Sequence, residues 1–484
     1  MSGGKLEEDR ASKLAGLREA GVDPFGKRFA DALPVREVIA LAPAEGEGQT
    51  VRTAGRITAI RGHGKSVFMD IKDWTGKVQV HTSLDQLGEE KFGLCKFLDI
   101  GDIIGVDGKV GRTRRGEITV FVDDLTVLTK ALLPFPEKWH GLKDVELRYR
   151  QRYLDLIVND DSMARFLRRT RIIASIRRFL DDAGFVEVET PMMQKIPGGA
   201  AAKPFVTHHN TLDIDLYLRI SPELYLKRLL VGGMDKVYEI NRNFRNEGIS
   251  TKHNPEFTMM EIYQSYADYH LMAELAEDLI ARLVNELYGK DCQEVAFGER
   301  ALKIAKPFAR REYAELLEEH AGVRLGDEEG IRRKARESGI DPEGLATDFV
   351  ANELFEKFVE DKLSDPTFVF NYPRGVCPLT RSCEDDPARA QRFELFIAGM
   401  EVANAYTELN DPDEQRRRFE EQVTQKQEEI KVIDEDFVTA QRYGMPPAGG
   451  MGIGIDRLVM ILTDSPSIRD VLLFPLLRPQ RETS

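Results

Sequence analysis

Between residues 237 and 266, apolar and polar positions alternate with a period of two, pause at a turn, and alternate again. That pattern predicts two half-buried strands rather than a helix. On the first strand Glu239, Asn241, Asn243, Arg245 and Glu247 share one face, and Tyr238, Ile240 and Phe244 point the other way. On the return strand Phe257, Met259, Glu261 and Tyr263 lie together. The polar face reads either as a wet outer surface or as a nucleotide site, with Arg245 for a phosphate or carboxylate, Phe257 for a base, and acids for ammonium or hydroxyl groups.

The same reading divides the rest of the chain. Residues 1–49 open with a short amphipathic helix, LEEDRASKLAGLREAG, and a Pro/Gly turn. From 50 to 130 the pattern is five short strands: VRTAGRITAI, SVFMDIKD, KVQVHT, DIIGVDGKV and ITVFVDDLTVL. Five strands in so short a span suit a small closed barrel, of which the OB-fold is the commonest that binds nucleic acid. Residues 131–159, with Pro134 and Pro136, are the expected linker. Residues 160–484 form the expected second domain. It opens with a helix over 160–183, where Met163, Phe166, Leu167, Ile173, Ile176 and Leu180 keep helical spacing and Gly184 suits the C′ position. The strand FVEVET follows. Helices are expected at 270–290, 310–320, 347–363 and 413–431, with strands at 390–410. The whole reads as α+β, with helices around an antiparallel sheet.

A length of 484 residues suits two or three domains. No window approaches the run of about 18 apolar residues that a membrane span needs. MSGGKLEEDR lacks an apolar signal core, so a cytoplasmic protein with no membrane partner is expected. Cys95, Cys292, Cys377 and Cys383 are too few and scattered for a disulfide framework or a zinc site, and are expected to stay as thiols. The formal charge of −14 argues against indiscriminate nucleic-acid binding. Locally the balance reverses: residues 51–80 carry six Lys and Arg against two Asp, which is compatible with selective RNA binding.

Candidate chemistry gathers late in the chain. If Ala398-Gly399 is a two-residue hairpin turn, Phe396 pairs with Glu401, and Glu394 and Glu401 share a face. That face is either solvated or a Mg²⁺ site, since two close carboxylates repel unless a cation lies between them. Asn404, Tyr406 and Glu408 have parity opposite to Glu401, so a bulge near Val402-Ala403 is required. With Glu261 and Tyr263 they would form a pocket for an ammonium at the end of an apolar stem. Glu223 begins a helix after Ser221-Pro222. Gly449, Gly450, Gly452 and Gly454 allow close backbone approach before Arg457. His208-His209 reads as surface.

FRNEG followed by HNPEF resembles motif 2 of the class II aminoacyl-tRNA synthetases; GFVEVETPMM (184–193) resembles motif 1 and GMGIGIDR (450–457) motif 3. Within that class, PGGAAAKPF, YLRISPELYLKRLL and NAYTELNDP are similar to the lysyl-tRNA synthetase family, over about residues 10 to 480. The resemblance implies a homodimeric enzyme that activates L-lysine with ATP and transfers it to tRNA(Lys). It implies ATP contacts from Arg245 (α-phosphate), Glu247, His253, Phe257 (adenine) and Arg457 (γ-phosphate), with Mg²⁺ on Glu394 and Glu401. Lysine would be held by Gly199, Glu223, Arg245, Glu261, Tyr263, Asn404, Tyr406 and Glu408. Phe68, Gln79 and Glu117 match positions that read the central anticodon base, although barrel core is the more common fate of a strand phenylalanine such as Phe68. The helix of motif 1 would lie in a dimer interface, or face the core of a monomer. The rivals are an aspartyl- or asparaginyl-tRNA synthetase, a paralogue modifying a protein lysine, and a non-catalytic RNA-binding relative. Glu261 with Glu408, the retained barrel, and the set Arg245, Glu394, Glu401 and Arg457 speak against them in turn.

Overall fold

The computed structural model describes residues 2–45, 47–135, 142–200, 202–424 and 432–479. They divide into two compact units, one of residues 1–144 and 157–159, the other of 145–156 and 160–484.

In the first unit, five strands close into a barrel: β1 (Glu47–His63), β2 (Ser66–Lys72), β3 (Lys77–Ser83), β4 (Ile103–Arg112) and β5 (Ile118–Thr129), in the order β1-β2-β3-β5-β4. Closure depends on β1 being long and bent. A register shift between Ile57 and Ala59 lets its one end pair with β4 and its other end with β2. Alternation fills the interior with Ile57, Met69, Ile71, Val80, Val106 and Val120, all fully buried. The helix Ser2–Glu19 is less amphipathic than expected, burying only Arg10 and Leu17 among its described side chains.

Part of the expected linker is ordered helix, Val145–Arg150 and Arg152–Val158. The reason is Arg152, wholly buried, which pairs with Asp155 at 2.5 Å and donates to the carbonyls of Leu473 (3.0 Å) and Arg469 (2.9 Å). Pro136 lies outside the described residues.

The second unit adds β6 (Val186–Glu187), β7 (Met193–Gln194), β8 (Val206–His209), β9 (Ile214–Leu218), β10 (Lys236–Phe244), β11 (Glu256–Ser265), β12 (Glu294–Phe297), β13 (Arg300–Lys303), β14 (Ala309–Glu312), β15 (Thr367–Phe370), β16 (Arg392–Ile397), β17 (Met400–Thr407) and β18 (Ala448–Gly454). Eight of them form one sheet, ordered β14-β15-β16-β17-β18-β11-β10-β6. The sheet is mixed, which corrects the expectation of an antiparallel one. Its six central strands are antiparallel, but β14 on β15 and β6 on β10 are parallel edges. Two further expectations shift with these edges. Ala309–Glu312 is strand, so the helix expected at 310–320 starts at Tyr313, and only Val186–Glu187 of FVEVET joins the ladder. The helix expected to 363 stops at Phe358, with a short 3-10 turn at Glu360–Lys362. The helix Pro412–Thr424 is described, and the remainder expected to 431 lies outside the described residues, as does Ala201 of PGGAAAKPF.

Sheet parity separates core from site. Met260 and Ile262 of β11, Phe393 and Leu395 of β16, Ala403 and Ala405 of β17, and Met451 and Ile453 of β18 enter one apolar cluster. The helices Asp160–Asp182, Tyr269–Tyr288 and Ile455–Leu462 complete that cluster. The alternate positions, Glu261, Tyr263, Glu394, Glu401, Asn404, Tyr406 and Gly452, line a cavity on the other face.

Candidate active site

Two adjoining cavities open on the polar face of the sheet, of about 330 and 240 Å³. Arg245, Met259, Glu401, Asn404 and Gly452 line both. The larger one also holds Gly199, Ser221, Glu223, Glu261, Tyr263, Glu394 and Tyr406. The smaller holds Glu247, His253, Phe257 and Arg457.

The hairpin that presents the two acids has the expected turn. Ala398 (φ 57°) and Gly399 (φ 71°) both occupy the left-handed region, the requirement of a two-residue turn of this twist. Phe396 pairs with Glu401 and Leu395 with Ala403, so Val402 is the extra residue of a bulge. The bulge returns Asn404 to the face of Glu401, and Asn404 Nδ2 donates to Glu401 Oε1 at 3.0 Å. Arg457 Nη1 donates to the Glu401 carbonyl at 2.7 Å and lies 3.2 Å from its carboxylate, while Nη2 meets His253 Nε2 at 3.0 Å. Glu394 accepts from Tyr372 Oη at 2.7 Å and is ion-paired with Arg392.

These contacts split the two carboxylates. Burial raises Glu394; Arg392 pulls it back and Glu401 pushes it up again. Glu401 is partly exposed; desolvation raises it, yet Arg457, Arg392 and Arg245 hold it below the usual range. Burial and the nearby Arg457 cation lower His253 and favour its neutral ring.

Arg245 and Glu247 lie just beyond the end of β10 rather than on it. The Arg245 guanidinium sits 5.1 Å over the Phe257 ring, and its Nε has no hydrogen-bond partner among the described residues. Glu239, on the same face of β10, is consumed internally: Arg219 pairs with it at 2.6 Å and Thr190 donates to it at 2.7 Å.

At the closed end of the larger cavity, Glu261 accepts from Ser221 Oγ at 2.8 Å and from Tyr263 Oη at 3.0 Å. Burial and then the charge of Glu223 push the Glu261 carboxyl up to about 8. Glu408 lies just behind, almost inaccessible, and is ion-paired with Lys227. Lys227 Nζ also donates to Glu223 Oε1 at 2.5 Å. Gly450 is required here: a Cβ on it would stand 2.0 Å from Glu408 Oε1.

The sequence reading missed Lys227, Arg392, Ser221 and Tyr372. Lys227 stands four residues after Glu223 in PELYLK, and Arg392 two before Glu394 on one strand face, so both had a readable spacing. Tyr372 had none. His208 and His209 are exposed on β8, as expected. All four cysteines are free thiols.

In the barrel, Phe68 has the parity opposite to Met69 and Ile71, which are interior. It is therefore outside, half-buried against His81 at 4.5 Å between ring centroids. Gln79 lies on the same outer face, accepting from Thr119 Oγ1 at 2.9 Å. Glu117 is exposed just before β5.

Comparison with known proteins agrees with this arrangement. Residues 144–478 match the family described as tRNA synthetases class II (D, K and N), and residues 51–128 the OB-fold nucleic acid binding domain. Lysine–tRNA ligase of Syntrophomonas wolfei is 53% identical over 98% of this chain and 97% of its own length. That of Moorella thermoacetica is 54% identical, covering 98% of each, and that of Carboxydothermus hydrogenoformans 51%, again 98% of each. The chain belongs to the lysine–tRNA ligase family of class II synthetases. Family membership places an OB-fold domain before an α+β synthetase domain, in the order in which the two units occur. No helix among the described residues is long and apolar enough to cross a membrane.

Proposed function

We propose that this chain is a lysine–tRNA ligase whose larger cavity binds L-lysine and whose smaller one binds ATP. One observation carries the reading: the buried acids Glu223 and Glu261 line the larger cavity, with Glu408 buried beside its Tyr263 wall, while Arg245 presents an unpartnered nitrogen beside both cavities. Acids at the far end suit the side-chain ammonium of lysine. Glu223 and Gly199 at the wall suit the α-ammonium, and Arg245 its carboxylate and the α-phosphate. Tyr406 and Asn404 would flank the substrate.

In the first step a lysine carboxylate oxygen bonds to the α-phosphorus of ATP and the bond to the β-phosphate breaks, releasing pyrophosphate. In the second, the terminal ribose hydroxyl of tRNA(Lys) attacks the lysyl carbonyl carbon and AMP leaves. The residues act by position and charge: Arg245 stabilises the α-phosphate as negative charge builds, Phe257 offers a face for adenine, and Glu247 and His253 flank it. Arg457 would exchange Glu401 for a terminal phosphate.

Glu394 and Glu401 suit Mg²⁺. They share one face, Glu394 is destabilised in part by Glu401, and their oxygens are hard donors. No set of three or more metal-binding side chains occurs among the described residues, so phosphate oxygens would complete the shell. Bound there, Mg²⁺ would neutralise charge on the phosphates.

Phe68, Gln79 and Glu117 are proposed to read an anticodon base on the outside of the barrel. Exposed Val186, Met192 and Met193 near motif 1 support a homodimer. Charging of tRNA for translation suits a cytoplasmic enzyme. The deciding experiment is ATP–pyrophosphate exchange against all twenty amino acids. Lysine should dominate, and dominance of aspartate or asparagine would overturn the proposal.

A further inference from the structure

We infer that Lys227 is a positioning residue of the amino-acid pocket: its enclosed ammonium bridges Glu223 and Glu408 and fixes where both carboxylates stand for a diammonium substrate. This rests on the reading of the larger cavity as the lysine site.

Lys227 is wholly buried on the helix Glu223–Val231, one turn after Glu223. Its Nζ donates to Glu223 Oε1 at 2.5 Å and is ion-paired with Glu408, the residue after β17. Beyond that ion pair, neither oxygen of Glu408 has a hydrogen-bond donor among the described residues. A buried carboxylate with spare acceptor capacity points to a missing donor, and Gly450 leaves its Oε1 side clear of any side chain of its own. Glu261 and Tyr263 from β11, Tyr406 from β17 and Glu223 on the helix itself are the other titratable groups around the pair. Burial pushes Glu261 and Glu408 both up to about 8. A protonated acid loses the charge that selects an ammonium. Lys227 opposes this. It is the group that pulls Glu408 back against burial, and its own charge is secured by Glu223 and Glu408. Neither Lys227 nor Glu408 is among the residues that line the cavity, so the pair leaves its volume open for substrate.

The test is Lys227→Met in the full chain, by lysine-dependent ATP–pyrophosphate exchange from pH 6.5 to 9 beside thermal melting. The lysine KM should rise roughly 10- to 100-fold, the loss of one charge-assisted contact. Its pH dependence should move upward, with the ATP KM within about threefold of wild type. Lys227→Arg, which keeps the cation but displaces it, should fall between the two. A folded Lys227→Met with wild-type lysine KM and pH profile would overturn the inference. If Lys227→Met does not fold, Lys227→Arg decides: a raised lysine KM with an unchanged ATP KM supports it, and a wild-type lysine KM overturns it. Failure of the underlying reading looks different, because wild type itself would then show no lysine dependence.

Discussion

Asn404 Nδ2 donates to Glu401 Oε1 at 3.0 Å, although three residues along an unbroken strand would point them to opposite faces of the sheet. Val402, the bulged residue between them, resolves the conflict and lets one hairpin serve both cavities. Glu401 thereby faces Arg457; Glu401 and Asn404 line both cavities, and Tyr406 lines the larger.

Glu401→Gln keeps the shape and the Asn404 contact but removes the charge that Arg457, Arg392 and Arg245 now stabilise. Adenylate formation should fall at least about tenfold, and the Mg²⁺ concentration for half-maximal exchange should rise. Melting should stay close to wild type. Normal exchange at limiting Mg²⁺ would remove Glu401 from the metal site.

The pH dependence of lysine binding follows from Glu261, whose carboxyl is pushed up to about 8 by burial and Glu223. Its ionised form is the one that holds an ammonium, so apparent lysine affinity should improve as pH rises towards about 8, with a proton released on binding. The stability sign is opposite. The native state keeps this proton where the unfolded chain, at an ordinary 4.5, has lost it. The native state binds more protons in that window, so this group's contribution to stability falls as pH rises from 4.5 to about 8. Lysine should therefore raise the melting temperature more at pH 8.5 than at pH 6.5. A lysine KM flat across the range would contradict the assignment.

Gly450→Ala places a methyl group 2.0 Å from Glu408 Oε1 and against the Tyr263 ring. Neither neighbour is free to yield, because Glu408 is tied to Lys227 and Tyr263 to Glu261. A rise in lysine KM of tenfold or more is expected, of order 1.4 kcal/mol or above. Unchanged lysine kinetics in a folded variant would show that the wall has room.

Phe68→Ala should weaken tRNA binding by about 1–3 kcal/mol, the value of one stacked base. Exchange without tRNA should be unchanged. Because the ring lies outside the barrel on His81, melting should fall far less than the roughly 3–5 kcal/mol of a core phenylalanine. The check is aminoacylation at subsaturating tRNA, read beside the melting curve; full aminoacylation would take Phe68 out of the anticodon site.

By itself the sequence determined strand parity, because a side chain's face follows from counting residues. The grouping of Phe257, Met259, Glu261 and Tyr263, the Ala398-Gly399 turn and the need for a bulge were all legible in that way. The motif spacings carried the family. What counting cannot supply is the group that arrives opposite each face. Only the tertiary structure decided that Arg219 consumes Glu239, that Arg392 and Tyr372 hold Glu394, and that Lys227 closes on Glu408. It also decided that β6 and β14 join the sheet as parallel edges. The physical reason is common to these cases. An ion pair or an edge pairing is chosen by which segments the fold brings within a few ångströms, and a desolvated charge must take the partner it meets there.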